Sequence, residues 1–579
     1  MQLITETEPT SVITKETLSR AMDTLRRYQA GKANLDRRIV ENEQWWKLRH
    51  WELMQEQGTT PLKTRSAWLV NVLLSRHADA MDAYPEPCCL PREASDQDTA
   101  RALSAILPVV LEQNDFEKVW SDAWWKKMKA GAGIYGVFWD SKKQGGLGDV
   151  TVTAIDPLSL FWEPGITDLQ HSRNLFYVQL RDRDALEAEH PHLAGKLEGK
   201  SFTAARYLYD DTVDTGDKVP VIDWYYHKED RGIRTLQLVK FTGDQVLYAT
   251  EDDPELARRG LYDHGKYPFV ADPLFPEEGT PLGFGYVDLC KDAQRQIDLM
   301  NNAIVANCIA AATPRFLVRG DGGVNEEEYA DLTRTFVHVQ GSVEDAAIKQ
   351  VAVSPLSGSY LSILDAKINE LKETSGNRDV MNGGTTSGVT AASAIAAMQE
   401  QSGKLSRDQI TGSYRCFRQV VYLIIELLRQ FYDLPRQFRI TGPNGAEFVS
   451  FDNRGLLPAP QLLGARLPVF DVQVTAQKQS AYSKLSYNEM ALQFFRLGLF
   501  NPALADQALL CLDMMDFQGK DALIQRLRDN GALYQAAVRP QGGEETLPRA
   551  DRLGSPVREE SARMTRAREA AREAPLPRE

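Results

Sequence analysis

The sequence predicts an α+β, multi-domain protein, and three observations carry that expectation. Apolar residues recur at helical spacing from Thr17 to Ala130; strand-like alternation then runs from Gly136 to Thr250; and two long helical patterns flank a short insert between Arg315 and Pro355. With 579 residues and 43% hydrophobic content, the chain is long enough for several cores, about three or four domain-sized units by length.

Taken in order, Thr17 to about Gln57 reads as helix, with Ala21, Leu25 and Tyr28 on one face and Leu35, Ile39 and Trp46 on another. Trp45, Trp46 and Trp51 form an aromatic cluster suited to core or subunit packing. Ala67–Ala83 is a further helix, ended by Pro85 and Pro87, and Asp96–Asn114 and Asp115–Ala130 give two more. Strands are expected at Gly136–Asp140, Val150–Ile155, Leu175–Leu180, Val221–His227, Arg234–Phe241 and Gln245–Thr250. Pro281–Gly285 breaks the pattern. Tyr286–Ala312 is then a long helix, striped by Ala293, Ile297, Met300 and Ile304. The insert carries strands at Phe316–Val318, Phe336–Gln340 and Ile348–Val353 around a helix at Asn325–Thr335, and a helix returns over Ser359–Thr374. Two helices with a small module between them describe a stalk carrying a head. A loop of small polar residues follows, then a very long helix, Ala391–Tyr432, kinked near Gly403 or Gly412. Its second half, Phe417 to Leu428, is apolar around much of its circumference and belongs in a core. Strands at Phe438–Ile440, Glu447–Phe451 and Phe470–Thr475 and three short helices over Ser483–Arg539 complete the pattern. The charged tail from Pro540 is expected to be disordered.

The net charge of -13 argues against tight general adhesion to nucleic acid, although an acidic wall would let a phosphate backbone slide past. No CxxC pair exists among the six cysteines, which suit reduced thiols. The polar N-terminus does not resemble a signal peptide, and no stretch reaches the roughly 18 apolar residues of a membrane span, so a cytoplasmic site of synthesis is expected. GAGIYG at Gly131–Gly136 matches a dinucleotide fingerprint in letters only, because a helix precedes it and a strand follows. GGTTSGVT at Gly383–Thr390 mimics a P-loop but has Val389 where the phosphate-binding lysine belongs. The eight histidines show no metal spacing, and no nucleophile elbow is present. Neither an enzyme, a cofactor nor a metal is therefore expected.

With catalytic motifs absent, the order of elements is the signal. TRSAWLVNVLLSRHADAMDAYPEP (Thr64–Pro87), AIDPLSLFWEPGITDLQHSR (Ala154–Arg173), GFGYVDLCKDAQRQIDLMNN (Gly283–Asn302) and ETSGNRDVMNGG (Glu373–Gly384) resemble the portal proteins of tailed double-stranded DNA bacteriophages. The resemblance covers about residues 15 to 535. It implies a portal-like division: a wing over 1–283, stem helices over 284–313 and 357–378, a small α/β clip over 314–356, and a tunnel loop over 379–392. A long wing helix with returning strands would follow over 393–480, a helical crown over 481–539 and the tail over 540–579. It also implies a ring, usually a dodecamer, at one capsid vertex of the virion, assembled in the bacterial host cytoplasm with major capsid and scaffolding proteins. Double-stranded DNA would pass through it without sequence preference. Asn382, Gly383, Gly384, Thr385, Thr386, Ser387, Gly388 and Thr390 would line the DNA channel. On the clip, Arg315, Glu326, Glu327, Glu328, Tyr329 and Asp331 would meet the large terminase subunit and later the tail adaptor, or head-completion protein. Rival readings are another virion structural protein, a DNA-processing enzyme of the packaging machinery, and a monomeric ligand-binding protein.

Overall fold

The computed structural model describes residues 11–53, 63–197, 202–208, 216–230, 232–312, 315–318, 327, 348–351, 358–376, 404–442, 445–458, 466–476, 493–498, 501, 507–509, 512 and 523–528. Contacts divide the chain into two compact units, one ending at Gln479 and the other beginning at Ser480.

Helix α1 (Lys15–Trp46) begins where the Thr14 hydroxyl accepts the Thr17 amide at 3.2 Å, satisfying one of the free donors of its first turn. It does not run to Gln57. Leu48 takes a left-handed φ of 56°, and a short α2 (His50–Leu53) folds back so that His50 stacks on Trp45 at 4.3 Å. With the turn at Leu48, Trp45 and Trp51 are both buried. Next come α3 (Trp68–Asp82) and then β1 (Pro85–Pro91). The two prolines read as breakers do end α3, but they also open a strand. That strand pairs antiparallel with the distant β16 (Phe470–Ala476), Pro85 opposite Ala476 and Pro91 opposite Phe470. A two-stranded sheet tolerates prolines because an edge position needs no amide donor.

The helices α4 (Gln97–Gln113) and α5 (Phe116–Ala130) follow as expected. Gly131 caps α5 at φ 100°, and a Cβ there would lie 2.7 Å from the Gly283 carbonyl oxygen, so the first glycine of GAGIYG serves a close helix-to-strand turn. The strand it opens is β2 (Ala132–Asp140), central in an antiparallel sheet between β3 (Asp149–Ile155) and, later in sequence, β9 (Phe269–Pro273). A five-stranded antiparallel sheet follows the chain: β4 (Leu160–Phe161), β5 (Asn174–Asp182), then, after α6 (Arg183–Glu189), β6 (Lys218–Asp230), β7 (Ile233–Thr242) and β8 (Gln245–Ala249). Leu18, Leu25 and Tyr28 of α1 pack on its Phe161, Phe176, Ile222 and Val239.

After α7 (Leu256–Arg259) and β9, the hairpin β10 (Phe275–Glu277) and β11 (Thr280–Phe284) occupies the segment expected to be an irregular break. Then α8 (Tyr286–Ala312) leads to the ribbon β12 (Arg315–Val318) and β13 (Ile348–Val351), and α9 (Ser359–Ser375) returns alongside α8. The long α10 (Lys404–Phe431) runs on through Gly412, while Gly403 lies outside the described residues. Phe417, Val420, Val421, Ile424, Leu427 and Leu428 are all fully buried, beside Phe116, Trp120 and Tyr135. The hairpin β14 (Arg436–Gly442) and β15 (Gly445–Phe451) precedes β16. In the second unit, 493–496 and 523–528 are helical, and Phe494, Leu512, Ile524 and Leu527 form a small core.

Candidate functional site

The expected channel residues, Asn382 through Ser387 with Gly388 and Thr390, lie outside the described residues, as do Glu326, Glu328, Tyr329 and Asp331. Arg315 is the first residue of β12, opposite Val351, and Glu327 is helical and exposed. What the structure does describe is the place where the helices bearing these segments are rooted.

The root is a set of buried polar contacts. On α8, Asp298 is fully buried: one carboxylate oxygen accepts the Ser66 amide at 2.9 Å, while the other faces His50 at 2.8 Å and accepts Gln294 at 3.0 Å. Gln294 also accepts the Leu69 amide at 2.9 Å, so α8 is pinned to the first turn of α3. Near its start, Asp288 accepts from the Asn42 side chain of α1 at 3.0 Å. Each bond satisfies a group that would otherwise be buried at considerable cost.

The first turns of α10 are held the same way. Ser406, Gln409 and Ser413 fall at i, i+3 and i+7 on one face, and all three are buried. Ser406 donates to Asp79 at 2.8 Å, Gln409 accepts the Tyr286 hydroxyl at 2.8 Å, and Ser413 donates to Asp272 at 2.7 Å. Lys127 completes the last group, donating to Asp272 at 2.8 Å and Ser413 at 2.6 Å. Arg76 of α3 reaches the carbonyl of Ser375, the last residue of α9, at 2.8 Å, and lies over the ring of Tyr286, the first residue of α8, at 5.8 Å. The end of α9 therefore sits beside the start of α8, and the two helices are antiparallel. None of these residues stands out in the sequence, because almost every partner is remote.

The other chemistry is quiet. Among the described residues, no group of three or more His, Cys, Asp or Glu side chains is placed to hold a metal ion, and no helix is long and apolar enough to cross a membrane. His190 and His192 meet edge to face at 5.9 Å, and Cys88, Cys89, Cys290, Cys308 and Cys416 are free thiols. Burial pushes the Cys89 and Cys290 thiols up to about 12, which makes them inert packing groups.

The fold is a mixed helix-and-strand body with an antiparallel helix pair, α8 and α9, whose intervening segment carries a β-ribbon. The chain belongs to the P22-like phage portal protein family, whose family model matches residues 78–266 and 231–574. It is thus a bacteriophage portal protein, a virion component of genome packaging and head–tail connection. No curated protein matches it.

Proposed function

We propose that this chain forms a ring, a dodecamer, at one vertex of the capsid, serving as the channel for genome packaging and ejection. The body up to residue 283 is the wing, α8 and α9 are the stem, and residues 314–356 are the clip that docks first the terminase motor and later the tail adaptor. Residues 379–392 form the loop towards DNA, 393–480 return to the wing, 481–539 form the crown, and 540–579 are a charged tail. The protein acts without catalysis.

The observation that carries this reading is the stem. Its fully buried residues lie towards the root, and Leu289, Leu299, Val305 and Ile309 of α8 and Tyr360, Leu361 and Ile363 of α9 are 37–57% exposed. Exposed apolar side chains along this helix pair suit burial by neighbouring copies. The loop's Gly and Thr residues, with no lysine or arginine between Asn382 and Thr390, suit weak contacts that position a phosphate backbone without gripping it. Replacing Gly383→Pro and Gly384→Pro together should leave ring assembly intact and reduce the DNA packaged per head. Normal packaging by that variant would remove the loop from the mechanism.

A further inference from the structure

We propose that Arg76 is the positioning residue of the channel loop: it joins the two ends of segment 377–403 to each other and to the wing. The functional part rests on the reading of 382–390 as the DNA-facing loop; the structural part does not.

Arg76 lies on α3, far in sequence from the loop, and is 2% exposed. One terminal nitrogen, Nη2, donates to the Ser375 carbonyl at 2.8 Å, on the last residue before the segment's approach. The other, Nη1, donates to the hydroxyl of Ser406, in the first turn after the segment, and to Asp79 at 3.2 Å. Ser406 closes the triangle by donating to the same Asp79 oxygen at 2.8 Å. The fit is close. Gly376 has a left-handed φ of 67°, and a Cβ there would lie 2.7 Å from Nη2 and 2.9 Å from a methyl of Leu405. The guanidinium also lies over Tyr286 at 5.8 Å. One side chain thus touches the start of α8, the end of α9 and the beginning of α10.

An arginine suits this post because its planar fork offers several donors in fixed directions, so it can hold a carbonyl, a hydroxyl and a carboxylate at once. A lysine offers a point charge on a flexible stem. The contacts below Arg76 on α10 are of the same kind. Ser406, Gln409 and Ser413 are each tied by hydrogen bonds, whereas Phe417, Val420, Val421, Ile424, Leu427 and Leu428 are close-packed with apolar partners. A buried hydrogen-bond network of this kind rigidifies the turns that carry it and specifies one arrangement of them. The turns of α10 nearest the loop are therefore fixed by these bonds, and Arg76 sets their position together with that of α9. Displacement of the loop by passing DNA would reach the wing through this group.

The test uses full-length rings. Hydrogen exchange would be followed at backbone amides 371–376 and 404–409 in wild type, Arg76→Met, Arg76→Lys and Ser406→Ala, with ring mass as the control for folding. Arg76→Met is expected to raise exchange about tenfold in both stretches together, as loss of a buried charge-assisted hydrogen bond would. Arg76→Lys should fall between, and Ser406→Ala should act mainly on 404–409. Intact rings of Arg76→Met with unchanged exchange, or a change in one stretch alone, would overturn the proposal. Should Arg76→Met fail to form rings, Ser406→Ala decides, since it leaves the Arg76–Asp79 pair in place: unchanged exchange at 404–409 overturns the proposal, and a local rise supports it. Packaging by the double-proline variant separates the two readings. Reduced packaging there with unaltered exchange in Arg76→Met sinks the positioning role and keeps the channel loop. Normal packaging there with raised exchange does the reverse.

Discussion

His264 is a half-buried imidazole whose Nδ1 accepts the Lys266 amide at 3.0 Å, a bond only the neutral ring can make. Burial, with Lys266 nearby, pushes its pKa down from 6.5 to about 4. Its neighbour His227 is lowered too, by burial and by Arg234, which donates to its Nδ1 at 2.8 Å, while its Nε2 faces the Gly265 carbonyl at 2.9 Å. The unfolded chain binds a proton at His264 at higher pH than the folded chain. Stability is therefore lost as pH falls from about 6.5 and the loss levels off below about 4. His264→Asn, which keeps an acceptor but cannot titrate, should flatten the fall of the unfolding midpoint between pH 7 and pH 5; an unaltered slope would contradict the assignment. At this scale the sequence is least legible. Arg76 reads as one more polar position on an amphipathic helix, since the partners that define it stand 299 and 330 residues away. The Lys127–Asp272–Ser413 group is hidden for the same reason.

Among elements, α10 shows why period and composition succeed where pairing fails. Its apolar half is legible because burial on several sides leaves a dense set of large apolar side chains, and Phe417, Val420, Val421, Leu423, Ile424, Leu427 and Leu428 are indeed buried. The helices Trp68–Asp82, Tyr286–Ala312 and Ser359–Ser375 also follow their expected limits, each being long and periodic. Missed were β1, β9, β10 and β11, which are short or rich in proline and owe their existence to a partner strand. The end of α1 at Trp46 was missed because nothing local marks Leu48 as left-handed. The two halves of α10 should respond differently to truncation. Phe417→Ala removes a side chain packed against Phe116 and Trp120 and should cost about 3–5 kcal/mol in denaturant unfolding. Ser413→Ala leaves the Lys127–Asp272 pair in place and should cost about 1–2 kcal/mol. Equal losses would mean that the polar turns are as close-packed as the apolar ones.

For the whole molecule, the fold class and the order of body, helix pair, tip and returning helix are readable because they depend on long segments. The surface proposed to join copies is not, since an exposed apolar residue on a helix looks in sequence like one that faces a core. Burial tells exposed from core-facing residues along α8 and α9: Ile297 and Leu371 are buried, whereas Ile309 and Leu361 are exposed. Native mass spectrometry with negative-stain images of the purified protein should show a ring of about twelve copies with a central hole. With -13 charges on each copy, assembly should improve as salt rises, because screening relieves self-repulsion. A monomer at every salt concentration would contradict the stem's assigned packing.

The pairing of Pro85–Pro91 with Phe470–Ala476 has a consequence for biosynthesis. A strand made early waits, during translation, for a partner made nearly four hundred residues later. Until the ribosome has delivered that partner, the first unit cannot close, and its helix pair has no finished base to stand on. Order of synthesis thus acts as a timer: the sheet that joins Pro85–Pro91 to Phe470–Ala476 can form only after most of the first unit has been made.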